Sequence, residues 1–160
     1  MSKILLLGHA RHGKGTVSKM LGLNAMSSSR FALETFLYDK LNNHRVDSGL
    51  RPYTSHDEAY SDRKAWRHFW FDAIENYNKD DWSRLARELI KKYDCYDGMR
   101  SRKEYEASKH LFDRIYWVDA SDRKPLEPAT SMQIKRDNKM IVIDNNGSLD
   151  DLKRNLDEFF

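Results

Sequence analysis

Residues 4–17 read ILLLGHARHGKGTV. The unbroken apolar run Ile4-Leu5-Leu6-Leu7 suits a strand covered on both faces, as in a parallel sheet. It ends at Gly8. A second glycine, Gly13, precedes Lys14, where a helical pattern over residues 14–23 begins. Glycines so placed let the backbone turn tightly and aim successive N–H groups inward, a cradle for an anion at a helix N-terminus. The pattern G-x-x-x-x-G-K-[ST] carries that meaning only between a strand and a helix, and this stretch lies there. A plain glycine turn with an exposed lysine would not require strand, spacing and helix to coincide. Gly15 stands where the hydroxyl residue of the strict pattern belongs, and Thr16 follows one place late.

The rest of the chain alternates in the same way. Residues 93–96, 114–118 and 140–143 are short, apolar and rich in aromatic or β-branched residues, as strands are. Residues 25–29 offer a weaker fifth strand. Helical patterns cover residues 31–41, 82–90 and 149–160, the last with Ser148 as N-cap. Trp66, Trp70, Ala73 and Tyr77 recur at helical spacing and form one apolar face. Strands separated by helices predict a doubly wound α/β sheet with ligands beyond the carboxyl ends of its strands. Residues 42–57 and 120–138 are long polar connections, a length typical of lids and binding loops.

Composition narrows the classes. At 160 residues the chain is the size of one domain with a single core. Lysine and arginine number 28 against 25 acidic residues, a net charge of +3 that is too small to indicate nucleic acid. The lone cysteine, Cys95, excludes an internal disulfide, fits a reducing compartment, and has no partner for a zinc pattern. No stretch has the length of a membrane span or the core of a signal peptide, so a cytoplasmic protein is expected. A Ser-His-Asp hydrolase lacks its G-x-S-x-G elbow.

The loop ending G-K-G-T, residues 13–16, resembles that of nucleoside monophosphate kinases such as adenylate kinase. YDCYDGMRSRKE, residues 93–104, resembles their strand-end D-G motif with its following arginine. It is most similar to the G-x-R segment of deoxynucleoside monophosphate kinases encoded by bacterial viruses. FDRIYWVDASDRKP (112–125) and MIVIDNNGSLDDL (140–152) resemble the family's strand ending in aspartate, arginine-bearing lid and final D-N-x-G-[ST]-L-x-x-L stretch. That final motif also occurs in dephospho-coenzyme A kinases. The resemblance covers most of the chain in order. It implies the α/β P-loop kinase fold of three layers, with a parallel sheet of about five strands, helices on both faces and a short lid. It further implies one domain over residues 1–160, with an acceptor-binding region near 27–90 and the lid near 120–138.

The resemblance also implies roles for single residues. Gly8, Arg11, His12, Gly13, Lys14, Gly15, Thr16 and Val17 would surround the phosphates of ATP, with Lys14 reaching the β- and γ-phosphates. Arg11 and His12 either add charge there or face solvent; His9 is expected to face solvent. Asn145, Asn146 and Gly147 would lie beside the adenine, although Gly147 and Ser148 also read as a helix cap. Thr16 and Asp97 would stand near Mg²⁺, held largely through water and phosphate oxygens. Ser29, Arg30, Arg63, Arg67, Asp97, Arg100 and Arg102 would meet the acceptor monophosphate. Arg123 and Arg136 are the lid candidates, and Lys14, Arg100 and Arg123 the expected catalytic set.

Read without the resemblance, residues 97–104 make a strand-to-helix turn with surface arginines and Glu104 supporting the helix start. DRKAWRHFWFD, residues 62–72, mixes bases with aromatics as an RNA-binding platform would. Its aromatic stripe favours a packed core instead, with Arg63 and Arg67 turned toward a mononucleotide. The expected activity is transfer of the γ-phosphate of ATP to a nucleoside monophosphate, preferably a deoxynucleotide, with Mg²⁺ as cofactor. The expected partners are these two nucleotides, without membrane or nucleic acid, and a second copy of the chain is left open. The setting would be cytoplasm, that of a host if the chain is viral. Two other readings stay open: a kinase acting on dephospho-coenzyme A or a nucleoside, and a nucleotide- or RNA-binding protein that keeps the fold without the transfer.

Overall fold

The computed structural model describes residues 2–159. Strands β1 (Ile4–Leu7), β2 (Ala25–Ser27), β3 (Cys95–Asp97), β4 (Arg114–Asp119) and β5 (Met140–Asp144) form one parallel sheet in the order β2-β3-β1-β4-β5. The helices are α1 (Lys14–Met20), α2 (Ser28–Ala32), α3 (Tyr38–Asp47), α4 (His56–Ser61), α5 (Arg67–Asn78), α6 (Arg84–Ile90), α7 (Arg102–Ser108) and α8 (Leu149–Asp157). Residues 25–29, the weakest of the expected strands, supply a three-residue edge strand and then turn into α2.

The run ILLL is buried along its whole length because each face of the sheet has its own cover. Leu5 and Leu7 face one side with Tyr96, Ile115 and Trp117, under α2, α6 and α7. Ile4 and Leu6 face the other with Cys95, Tyr116, Val118 and Ile143, under Val17 of α1 and Leu152 and Leu156 of α8. The result is a three-layer α/β fold with helices on both faces. Among the described residues, no helix is long and apolar enough to cross a membrane.

A third cluster stands apart from the sheet. Leu33, Leu37 and Leu41, one helical face, pack against Tyr53, Ala59, Trp70 and Ala73. Burying each of these leucines stabilises by about 1.5–3 kcal/mol. Trp70 and Ala73 thus carry the expected stripe. Trp66 sits in a short 3₁₀ turn before α5, and Tyr77 faces the main core, stacked on Phe36 at 4.2 Å.

Two connections differ from expectation. Residues 42–47 continue α3, since the buried face that ends at Leu41 supports further solvated turns. The helix stops at Gly49, whose φ of +82° and N–H to the Val46 carbonyl (3.0 Å) make a left-handed terminus. The segment 120–138 is pinned rather than free along its length. Ala120, Met132 and Ile134 are buried, the last two in the sheet core, and within residues 121–131 only Glu127 is withdrawn from solvent. Ser148 caps α8 as expected, with Asp151 completing a reciprocal capping box.

Candidate active site

The connection after β1 crosses under one face of the sheet and that after β3 over the other, so their carboxyl ends open a crevice between them. The glycines of the loop at that end are demanded by contact. A Cβ on Gly8 (φ +146°) would lie 2.6 Å from the Val118 carbonyl oxygen, and one on Gly13 (φ +102°) 2.4 Å from Asn145 Nδ2. Gly15 has open space around it. Arg11 is left-handed at φ 66°, and the His12 N–H closes the turn on the His9 carbonyl at 3.2 Å.

Several residues expected to touch nucleotide instead hold the loop. His12 is fully buried; its Nδ1 accepts from the Ala120 N–H (3.0 Å), which leaves Nε2–H to donate to the Pro125 carbonyl (3.0 Å). His9 does not face solvent. It is half-buried, accepts from the Glu127 N–H at Nδ1 (3.0 Å) and stands edge-on to Trp117. Burial, with His12, Lys14 and Arg100 nearby, lowers its pKa against the opposing pull of Glu127. Val17 offers nothing to a nucleotide: its side chain is in the core and its N–H bonds to the Gly13 carbonyl at 2.9 Å. Asn145 is buried, and its Nδ2 donates to the His12 carbonyl at 2.9 Å. Gly147 serves the cap, since a Cβ there would meet the Asp151 carboxylate at 2.3 Å. Asn146 accepts from the Asp122 N–H (2.9 Å) and Arg123 Nε donates to the Asn145 carbonyl (2.7 Å), so both join the final loop to the start of segment 121–131.

Lys14, the first residue of α1, is buried and folds back over the loop, donating to the carbonyls of Gly8 (2.9 Å) and His9 (3.1 Å). Burial lowers its pKa, while Asp97 draws it up, Arg100 lowers it further and Glu127 draws it up. Burial raises the pKa of Asp97 in turn, against the pull of Lys14 and Arg100. All three of Lys14, Asp97 and Arg100 line a cavity of about 580 Å³ beyond the strand ends. Its walls include Ser27, Ser28 and Ser29, Tyr60, Arg63, Phe71, Ile74, Trp82, Lys103 and Gln133. Volume and mixed lining suit a ligand of mononucleotide size.

Of the other expected acceptor residues, Ser29 and Arg63 reach this cavity, Arg63 lying over the Tyr60 ring at 4.0 Å. Arg30 is paired with Glu34 (3.0 Å) and Asp57 (2.9 Å). Arg67 lines a separate shallow groove with His44 and Phe69, because the 3₁₀ turn rotates it away from Arg63. Arg102 is exposed while its neighbour Lys103 takes the wall. Arg136 lies 4.0 Å from Asp119.

Thr16 is exposed on α1, and among the described residues no three His, Cys, Asp or Glu side chains group as a metal site. Asp97 lines the cavity and Thr16 does not; both carry the hard oxygen type that Mg²⁺ takes.

Two residues of the site have no signal in the sequence. Glu127 comes from the exposed segment, yet its carboxylate accepts from the Ala10 N–H (2.6 Å) and from one edge of Arg100, through Nε (3.1 Å) and Nη2 (3.1 Å). Glu104 stands in the first turn of α7 as expected, its N–H on the Ser101 cap, and its buried carboxylate also lines the cavity, bonded by the Tyr96 hydroxyl and by Asn78 Nδ2 (3.1 Å). Asn78 in turn accepts from the Leu85 N–H at 3.0 Å, so the network ties α5, α6, α7 and β3 together.

Burial raises Glu104 from 4.5 to about 7, against the hydrogen bonds from Tyr96 and Asn78. The folded chain therefore keeps a proton there that the unfolded chain has lost. This contribution to stability is full below the unfolded pKa and declines as pH rises through the folded one. Between about pH 5 and about pH 8, thermal stability of Glu104→Gln should improve relative to the unaltered chain. A stability difference that does not change across that window would contradict a protonated Glu104.

No protein-family model matches the chain, and no curated protein matches it by sequence. Among solved structures, TT1252 from Thermus thermophilus is similar, with a TM-score of 0.52 at 15% identity over 99% of this chain and 95% of that one. At that identity the likeness concerns the fold alone.

Proposed function

We propose that the chain is a P-loop kinase that moves the γ-phosphate of ATP to a nucleoside monophosphate, preferably a deoxynucleotide. One observation carries the reading. A buried lysine wrapped in a glycine loop at the end of β1 shares a mononucleotide-sized cavity with a strand-end aspartate and an arginine fork. The resemblance of residues 13–16, 93–104 and 140–152 to the nucleoside monophosphate kinases supports it.

In this reading the loop and Lys14 hold the donor's phosphates, and the cavity holds the acceptor with its phosphate toward Arg100. An oxygen of the acceptor phosphate forms the new bond to the γ-phosphorus while the bond to the bridging oxygen of ADP breaks. The acceptor oxygen is already anionic, so no side-chain nucleophile is needed. Alignment and neutralisation of charge supply the acceleration. Lys14 and Arg100 bring positive charge to the two sides of the transferred group, and Arg123 stands at the base of the segment that would cover it. Asp97 and Thr16 would hold Mg²⁺, which neutralises phosphate charge when bound.

A compound joining adenosine to a second nucleoside through a five-phosphate bridge tests the two-site arrangement. Linking the sites makes the second contact intramolecular, so it should bind about a hundredfold or more tighter than ATP or the monophosphate. Affinity no better than that of ATP alone would contradict adjacent donor and acceptor sites.

A further inference from the structure

The Glu127 carboxylate is held as a phosphate group would be. It comes from residues 121–131, otherwise exposed, and its side chain is only 16% accessible. One oxygen takes the Ala10 N–H, a backbone amide of the glycine loop, at 2.6 Å. The two oxygens together fill the Arg100 fork, at 3.1 Å each. The Glu127 N–H is fixed in turn by His9 Nδ1 at 3.0 Å, so the loop holds both backbone and side chain of this residue. A loop amide plus a guanidinium fork is the donor set that recognises an oxyanion.

We propose that Glu127 is a built-in occupant of the phosphate subsite between the glycine loop and Arg100, and that a substrate phosphate enters by displacing it. The inference rests on the phosphate-binding reading above and concerns what regulates that same site. Burial on its own would raise the Glu127 pKa, yet Arg100, the Ala10 N–H and Lys14 hold it below the ordinary value, so the occupant is anionic. An anion in that place keeps Arg100 and the loop arranged while no substrate is bound. It also excludes water and stray anions from them. The occupant reduces apparent affinity for phosphate by the fraction of molecules in which it has left.

Inorganic pyrophosphate is the probe, titrated calorimetrically into the unaltered chain, Glu127→Gln and Glu127→Asp. The glutamine keeps the shape and loses the charge, so pyrophosphate should bind it about tenfold or more tighter. The aspartate keeps the charge on a shorter stem and should fall between. Equal affinity for all three, with ATP still bound by the unaltered chain, overturns the occupant and leaves the kinase reading standing. Absence of both ATP and pyrophosphate binding from all three overturns both. A second measurement needs no variant. Saturating pyrophosphate should speed amide exchange around Glu127 in the unaltered chain, because the anchor of residues 121–131 is lost. Slower or unchanged exchange there contradicts displacement.

Discussion

Lys14→Ala should lower phosphoryl transfer by about a hundred- to a thousandfold, the usual cost of removing one preorganised donor from developing charge. Its ammonium is already desolvated and held at the loop by the Gly8 and His9 carbonyls, so little reorganisation separates it from a phosphate oxygen. The fold should survive the change. Two hydrogen bonds are lost, each worth about 0.5–1.5 kcal/mol, while a buried charge that costs desolvation is removed with them. The melting temperature should therefore stay within a few degrees, measured alongside steady-state turnover. Turnover close to that of the unaltered chain would show that the glycine loop serves something other than phosphate.

Arg100→Ala should weaken monophosphate binding on the order of a hundredfold and barely change binding of ATP. A guanidinium holds two phosphate oxygens at once, each charge-assisted bond contributing roughly 1.5–3 kcal/mol, and about 1.4 kcal/mol is a factor of ten. The fork is in place in the structure, filled by Glu127 rather than by a substrate. Arg100→Lys should rescue poorly, because an ammonium cannot reproduce the planar fork. The discriminating measurement is calorimetric binding of each nucleotide separately. Collapse of ATP affinity with monophosphate affinity intact would place Arg100 on the donor side.

Much of the sheet was legible because ILLL and the IYWV of β4 are buried throughout and so read as unbroken apolar runs, while MIVI of β5 is equally apolar although Ile141 and Val142 stay exposed. The glycine loop was legible because its geometry forbids side chains at Gly8 and Gly13, and that constraint is written in residue type. Partnerships across space were not. His9 looks solvent-facing, and His12 open to either phosphate or solvent, until segment 120–138 brings Ala120, Pro125 and Glu127 against them. Glu127, between Leu126 and Pro128, has nothing nearby in sequence to mark it, since its partners lie 27 and 117 positions away. The roles of Arg63 and Arg67 depended on one turn being 3₁₀ rather than α, a difference of angle that spacing does not record. Asn145 was expected at a base and holds the loop, because a buried amide near an open carbonyl bonds to it.

Incubation with ATP labelled at the γ-phosphate and each common ribo- and deoxyribonucleoside monophosphate in turn, with Mg²⁺, addresses the central claim most directly. Chromatography follows the label. The account predicts labelled nucleoside diphosphate and stoichiometric ADP with at least one mononucleotide, the deoxy forms being preferred, and loss of both products with Lys14→Ala. Label that remains in ATP, or appears only as free phosphate, with every mononucleotide offered would contradict it.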